Sequence, residues 1–324
     1  MELRQLGTSG LTVSAVGLGC NNLGRADTAS ETLKGSQAVI GAALDAGITL
    51  FDVADNYGKT AGLSEELLGK SLGRRRDEAV VATKFGMDTR GASGSWQGAR
   101  GSRRYIMTAV ENSLRRLGTE WIDLYHYHTP DGVTPIEETL EALDDLVRAG
   151  KVRYIGHSNR AGWQIAEAEF TARMRGTARF VSAENAYNLL DRRAEQEVIP
   201  SATAYGIGVL PYFPLANGLL TGKYAGGKAP EGSRLTHSRS GLLDTTDWRQ
   251  LTRFSEYAAA RDLTEVEVAF SWLASRPAVA SVIAGATRPE QATTNASAVR
   301  WKPTAEDLAE LDEIFPPAEK VAPF

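Results

Sequence analysis

Cysteine is almost absent from this sequence. Cys20 stands alone among 324 residues, so no intrachain disulfide can form and a reducing, cytoplasmic setting is expected. Histidine is nearly as scarce, with four residues, so each can be weighed singly. No apolar run approaches the length of a membrane span, and Met1-Glu2-Leu3-Arg4-Gln5 lacks a signal-peptide core; no membrane association is expected. An excess of one charge is missing too. The net charge of −4 arises from interspersed acids and bases, which argues against a nucleic-acid partner. Two phosphate-binding fingerprints also fail. Gly17 and Gly19 begin the dinucleotide pattern, but Asn22 stands where its next glycine belongs. Gly69-Lys70-Ser71 would end a P-loop, yet Ser64 replaces the leading glycine.

What remains is an ordinary globular composition, 42% hydrophobic and 23% charged. Residues 2–14 read as a hairpin turning at Thr8-Ser9-Gly10, suited to cover a barrel floor. Eight short apolar runs then follow: 15–19, 48–52, 79–84, 122–127, 154–158, 180–184, 208–212 and 281–285. Helical patterns lie between them at 36–46, 64–72, 103–117, 135–149, 162–173, 194–205, 265–275 and 289–298, with a last one at 304–315. Within 103–117, Ile106, Val110, Leu114 and Leu117 form an amphipathic stripe. Eight evenly spaced strands alternating with helices predict one α/β domain over 1–324, a (β/α)8 TIM barrel with a parallel sheet. Two connectors, 86–102 and 217–247, exceed simple links. They are expected as long loops on the C-terminal face, where loops carry function, with Trp96 as a substrate or lid contact.

Barrel enzymes present reactive groups from the C-terminal ends of their strands. The run 48–52 delivers Asp52, followed by Tyr57-Gly58; the next strand closes on Lys84, and the fourth leads to His128. A lysine ending an apolar strand is costly to desolvate without a carboxylate, and Asp52 is the expected partner. A nearby ammonium is expected to lower the Tyr57 phenol, making Tyr57 an acid, Lys84 its tuning charge and Asp52 an anchor. A neutral His128 would orient a substrate carbonyl.

These contexts resemble the aldo-keto reductase family, in a bacterial type distantly similar to potassium-channel beta subunits, over nearly the whole chain. Phe-Asp-x-Ala-x-x-Tyr-Gly, Ala-Thr-Lys-Phe-Gly and Asp-Leu-Tyr-x-x-His-x-Pro-Asp are all matched, so the family's catalytic tetrad falls on Asp52, Tyr57, Lys84 and His128. The resemblance implies an NADP-dependent oxidoreductase reducing an aldehyde or ketone, with NADPH as cofactor and NADH possible. In Gly156-His157-Ser158-Asn159, it implies that Ser158 and Asn159 hold the nicotinamide carboxamide, and that Tyr212 stacks on the ring. Phe213, Pro214 and Leu215 continue that segment, and Gly218, Leu219, Thr221 and Lys223 resemble the pyrophosphate loop. Gly285, Thr287, Arg288, Gln291 and Asn295 resemble the adenosine-phosphate segment, with a helix start near Pro289 suited to phosphate. Gly19 and Cys20 join the cofactor set, and Asn21 the substrate set with Tyr57, Trp96 and His128.

Two departures stand out. Glu184 replaces the family glutamine before Asn185-Ala186-Tyr187-Asn188; an ionised glutamate only accepts hydrogen bonds, and still takes a carboxamide N–H. Thr287 replaces the arginine that pairs with the 2′-phosphate, leaving Arg288 one step on.

Two rival readings use the same chain. His126 and His128 share a strand face and His157 closes the next strand, so a metal-dependent hydrolase with those three ligands is one rival. A redox-sensing auxiliary protein with slow turnover is the other; no long extension ahead of the hairpin and no obligate protein partner are expected. Asp55 is expected to cap a turn, His237 to be a surface residue, and Trp121, Trp163, Trp248, Trp272 and Trp301 to pack. Cys20 and Asn21 are expected to face the pocket.

Overall fold

The computed structural model describes residues 1–94, 98–224, 235, 241–317 and 319. The chain opens with an antiparallel hairpin of β1 (Leu3–Gln5) and β2 (Thr12–Ser14). Its turn tucks Gly7 against Gly206 and Gly208. A Cβ at Gly7 would lie 2.3 Å from the Gly206 carbonyl, and its φ of +60° also suits glycine. Leu6 and Val13, fully buried, then cluster with Leu50, Ala82, Leu124 and Leu210 from inside the sheet. The hairpin therefore plugs the barrel floor with apolar side chains.

Eight parallel strands follow: β3 (Val16–Gly19), β4 (Leu50–Asp52), β5 (Val80–Phe85), β6 (Ile122–Tyr127), β7 (Val152–Ser158), β8 (Phe180–Glu184), β9 (Gly208–Val209) and β10 (Val282–Gly285). They pair in the order β10-β3-β4-β5-β6-β7-β8-β9. Backbone bonds then join the two ends: Val209 N to Ala278 O at 2.7 Å and Ile283 N to Pro211 O at 3.0 Å. A closed (β/α)8 barrel results. The expected strand at 208–212 is only two residues long in the ladder, because Pro211 has no N–H to give.

The intervening helices are α1 (Leu33–Asp45), α2 (Leu63–Leu72), α3 (Arg103–Leu117), α4 (Ile136–Arg148), α5 (Gly162–Arg175) and α6 (Val198–Tyr205). The anticipated stripe of α3 is buried, with the Ser102 hydroxyl capping its first turn. The segment expected as a single loop holds a short helix, α7 (Gly241–Thr245), and beyond it lies the unanticipated α8 (Trp248–Ala259). Asp247 caps α8 through the amides of Arg249 and Gln250, and Leu251, Phe254 and Tyr257 anchor it. The series ends with α9 (Glu265–Ala274), α10 (Pro289–Ser297) and α11 (Ala305–Ile314). No helix among the described residues is long and apolar enough to cross a membrane. Trp272 is buried as expected, but Trp163 is 63% exposed and packs little.

Candidate active site

Side chains alternate along a strand, so one residue in two points into the barrel. In register across the sheet, Lys84 lies beside His126, His126 beside Gly156, and Gly156 beside Ser182. Above the apolar floor these positions form a polar layer. Lys84 is fully buried; its ammonium donates to Asp52 Oδ1 at 2.5 Å and to the Val53 carbonyl at 3.2 Å. Glu184 Oε1 lies 3.3 Å from the same nitrogen. The ammonium is 5.1 Å from the Tyr57 ring centre, and the His128 ring meets Tyr57 edge-on at 5.9 Å. The structure thus brings all four tetrad positions together at one end of the barrel, and adds Glu184 to them.

Gly156 explains how His126 finds its partner. His126 Nε2 and Ser182 Oγ are 2.7 Å apart although β7 runs between their strands. A Cβ at Gly156 would sit 2.1 Å from that hydroxyl and 2.3 Å from the imidazole. Substituting Gly156→Ala is expected to cost about 1–3 kcal/mol by overpacking, read as a lower denaturation midpoint with an unchanged slope. An unaltered midpoint would show that this layer yields freely.

Burial dominates the electrostatics. It pushes the Tyr57 phenol well above its ordinary range; Lys84 opposes this, but Asp52 and Glu184 add to it. The expected lowering by Lys84 is therefore outweighed, and Tyr57 is a neutral phenol at neutral pH. Burial alone would lower Lys84, yet the Asp52 and Glu184 carboxylates outweigh it and keep the ammonium charged. Burial raises the Asp52 carboxyl against the pull of Lys84, and drives Glu184 up to about 8, with Asp52 pushing the same way. Glu184 is therefore not the ionised acceptor that its residue type suggests. His126 and His128 are held neutral by burial and by Lys84.

The histidine triad does not form. His157 alternates with the inward Gly156 and Ser158, so its ring packs outward, edge-on to Phe180 at 5.2 Å. Asp52, His126 and Glu184 do approach one another within 4.8 Å, but the Lys84 ammonium already lies between the two carboxyl groups, where a metal ion would have to sit. Asp55 caps no turn. It is 1% exposed, and neither carboxylate oxygen has a hydrogen-bond partner among the described residues.

The residues of the expected cofactor face gather above this layer. Ser158 Oγ donates to the Glu184 carbonyl, and Asn159 Nδ2 to the His128 carbonyl at 3.0 Å. The Tyr212 hydroxyl donates to Asn159 Oδ1 at 2.7 Å, and the ring of Phe213 stands edge-on to that of Tyr212. Pro214 is buried and Leu215 half-buried. In the next turn Ala216, Asn217 and Gly218 are all left-handed; Leu219 is buried, Thr221 donates to the Gly218 carbonyl, and Lys223 is exposed. Across the mouth, the Thr287 amide and hydroxyl both donate to Gln291, and Asn295 reaches the Gly285 carbonyl. Arg288 is exposed at the start of α10, with no side-chain partner among the described residues.

Gly19 ends β3, and a Cβ there would touch Ile283. Cys20 is buried, its thiol donating to the Leu18 carbonyl, with Asp52 and Lys84 within its electrostatic reach. Asn21 and Asn22 flank Gly285. Trp96 and His237 lie outside the described residues.

Residue-by-residue reading overlooks several supports. Asp123, inside the fourth-strand motif, accepts from the Val81 amide and Arg76. Asp131, at that motif's end, accepts from the amides of Gly101, Val133 and Thr134, tying the β6 loop to the start of α3. Ser182 gives no local signal; only its two-residue offset from Glu184 marks it as inward-facing.

Residues 15–315 match the model of the aldo/keto reductase family. The chain is 38% identical to "Uncharacterized oxidoreductase YrpG" of Bacillus subtilis, covering 98% of this chain and 96% of that one. It is 33% identical to the L-glyceraldehyde 3-phosphate reductase of Escherichia coli O157:H7, over 97% and 92% of the two chains. It is also 33% identical to a probable voltage-gated potassium channel subunit beta of rice, over 92% and 91%.

Proposed function

The chain belongs to the aldo/keto reductase family, and from that premise we propose that it reduces an aldehyde or ketone to an alcohol with NADPH. The observation that carries this reading is the convergence of Tyr57, Lys84, Asp52 and His128 on one water-poor end of the barrel. Bound NADPH supplies the hydride. His128 and Tyr57 donate hydrogen bonds to the carbonyl oxygen, which orients and polarises it. As negative charge develops on that oxygen, Tyr57 Oη gives up its proton. Lys84 steadies the phenolate left behind, and Asp52 holds Lys84 in place.

The cofactor face supports the same reading. Ser158, Asn159 and Tyr212 already form a hydrogen-bonded set beside Glu184, ready to exchange partners with a carboxamide. The left-handed run at Ala216–Gly218 turns its backbone as a pyrophosphate cradle would. Arg288, exposed at the start of α10, suits a 2′-phosphate. Titrating NADPH and NADH by quenching of tryptophan fluorescence in EDTA tests the proposal, and failure of both to bind would overturn it. In the same assay Arg288→Ala is expected to weaken NADPH about tenfold or more, as loss of a charge-assisted hydrogen bond, and to leave NADH unchanged. Equal effects on the two cofactors would remove Arg288 from the 2′-phosphate.

A second reading, a slow redox-sensing auxiliary protein, is favoured by the likeness to channel beta subunits such as that of rice. Sustained multiple turnover on simple aldehydes separates the two.

A further inference from the structure

The Lys84 ammonium has two carboxylates where a single charge needs only one. Asp52 Oδ1 is 2.5 Å away and Glu184 Oε1 3.3 Å, with Asp52 and Glu184 3% and 2% exposed. The second Glu184 oxygen faces His126 Nδ1 at 3.4 Å, and neither atom makes a hydrogen bond there. His126 is committed through Nε2 to Ser182. The Glu184 backbone carbonyl meanwhile accepts from the Asn159 amide and the Ser158 hydroxyl. Glu184 therefore touches the catalytic lysine on one side and the expected carboxamide-binding pair on the other.

We infer that Glu184 is a proton-holding second carboxylate on Lys84, whose ionisation tilts the site from the reduced toward the oxidised nicotinamide cofactor. The inference rests on the cofactor reading above. Two carboxylates on one buried ammonium share a single proton, because ionising both leaves an uncompensated charge away from water. Glu184, the more distant from Lys84, keeps that proton.

The groups facing Glu184 from neighbouring elements are Asp52 of β4 with Tyr57 beyond it, Lys84 of β5, and His126 of β6. Tyr212, following β9, lies within its electrostatic reach. With Tyr57 and both histidines neutral, the set sums to zero while Glu184 is protonated and to minus one after the proton leaves to solvent. A protonated carboxyl both donates and accepts, as the family glutamine does, so below its midpoint Glu184 substitutes for that residue. Above the midpoint it is an anion beside the nicotinamide position. The oxidised ring carries a positive charge that the reduced ring lacks, so the anion favours the oxidised form.

The test measures dissociation constants of NADP+ and NADPH for the wild type and Glu184→Gln across pH 6 to 10, by tryptophan fluorescence. As the pH rises past about 8, the wild-type ratio Kd(NADP+)/Kd(NADPH) is expected to fall on the order of tenfold or more. In Glu184→Gln the ratio stays flat. In the apo protein, one carbon-13 glutamate carboxyl resonance titrates near the same pH and is missing from the variant.

Thermal unfolding gives an independent readout. Between its ordinary value of 4.5 and about 8, Glu184 holds a proton in the folded state that it loses on unfolding, so wild-type stability falls as pH rises. The Tm advantage of Glu184→Gln is expected to grow across that window and then level off. A merely structural glutamate with the same raised pKa would move the Tm and carbon-13 profiles but leave the ratio Kd(NADP+)/Kd(NADPH) independent of pH. A pH-independent ratio in the wild type overturns the inference while leaving the cofactor reading intact. Failure of both cofactor forms to bind either protein overturns both.

Discussion

Replacing Tyr57 with phenylalanine is expected to lower turnover by about 10²- to 10⁴-fold, the usual share of a general acid, with NADPH affinity changed less than about twofold. Both parts follow from the geometry. The substitution removes one oxygen and keeps the ring, so the edge-on contact with His128 and the ammonium over the ring persist. Because the phenol is held neutral by burial, its contribution is a proton delivered late, to an oxygen that is becoming an alkoxide. Loss of that proton lowers kcat and kcat/KM together, the signature of an interaction made only in the transition state. Single-turnover mixing of enzyme, NADPH and an aldehyde, followed at the nicotinamide absorbance, isolates the chemical step. Near-normal turnover in Tyr57→Phe would falsify the assignment of Tyr57 as the acid.

Lys84→Met carries the second large effect, and it reaches stability as well as rate. The ammonium is the only cation touching Asp52 and Glu184 among the described residues. Its removal leaves two carboxyl groups in a dry interior, which typically costs about 3–5 kcal/mol when one partner of a buried pair is deleted. The pH dependence has a definite sign. Without Lys84, both carboxyls must be protonated in the folded state, so their folded pKa values rise further above the unfolded ones. The folded state then binds more protons than the unfolded one, and stability falls as pH rises above the ordinary carboxylate range. The variant is therefore expected to approach wild-type Tm near pH 4 to 5 and to fall progressively behind it by pH 8. A deficit that stays constant across this range would mean that lost packing, not charge, is responsible. Activity should drop at least about 10²-fold at any pH where the variant is folded, because Tyr57 loses the charge that steadies its phenolate.

The order and content of the barrel were legible in the sequence. Eight apolar runs, each followed by a helical stripe, sit within a few residues of the observed elements. The four tetrad residues stand at or just past strand ends, where position along the chain fixes position along the barrel axis. Helix α8 shows where such reading fails. Leu251, Phe254 and Ala258 carry a helical period, but the Gly-, Ser- and Arg-rich stretch before it reads by composition as loop.

Sequence alone thus determined the fold class and which side chains reach the C-terminal end of the barrel, because period and strand-end position are local properties. Tertiary structure decided the rest. His157 faces outward because the alternation along β7 is set by which face closes on the core, so the three histidines never meet. Glu184 meets Lys84 although two strands separate β5 from β8, and only closure of the sheet brings them across the barrel. The protonation states of Tyr57 and Glu184 follow from burial, which belongs to the assembled barrel and not to the residue type.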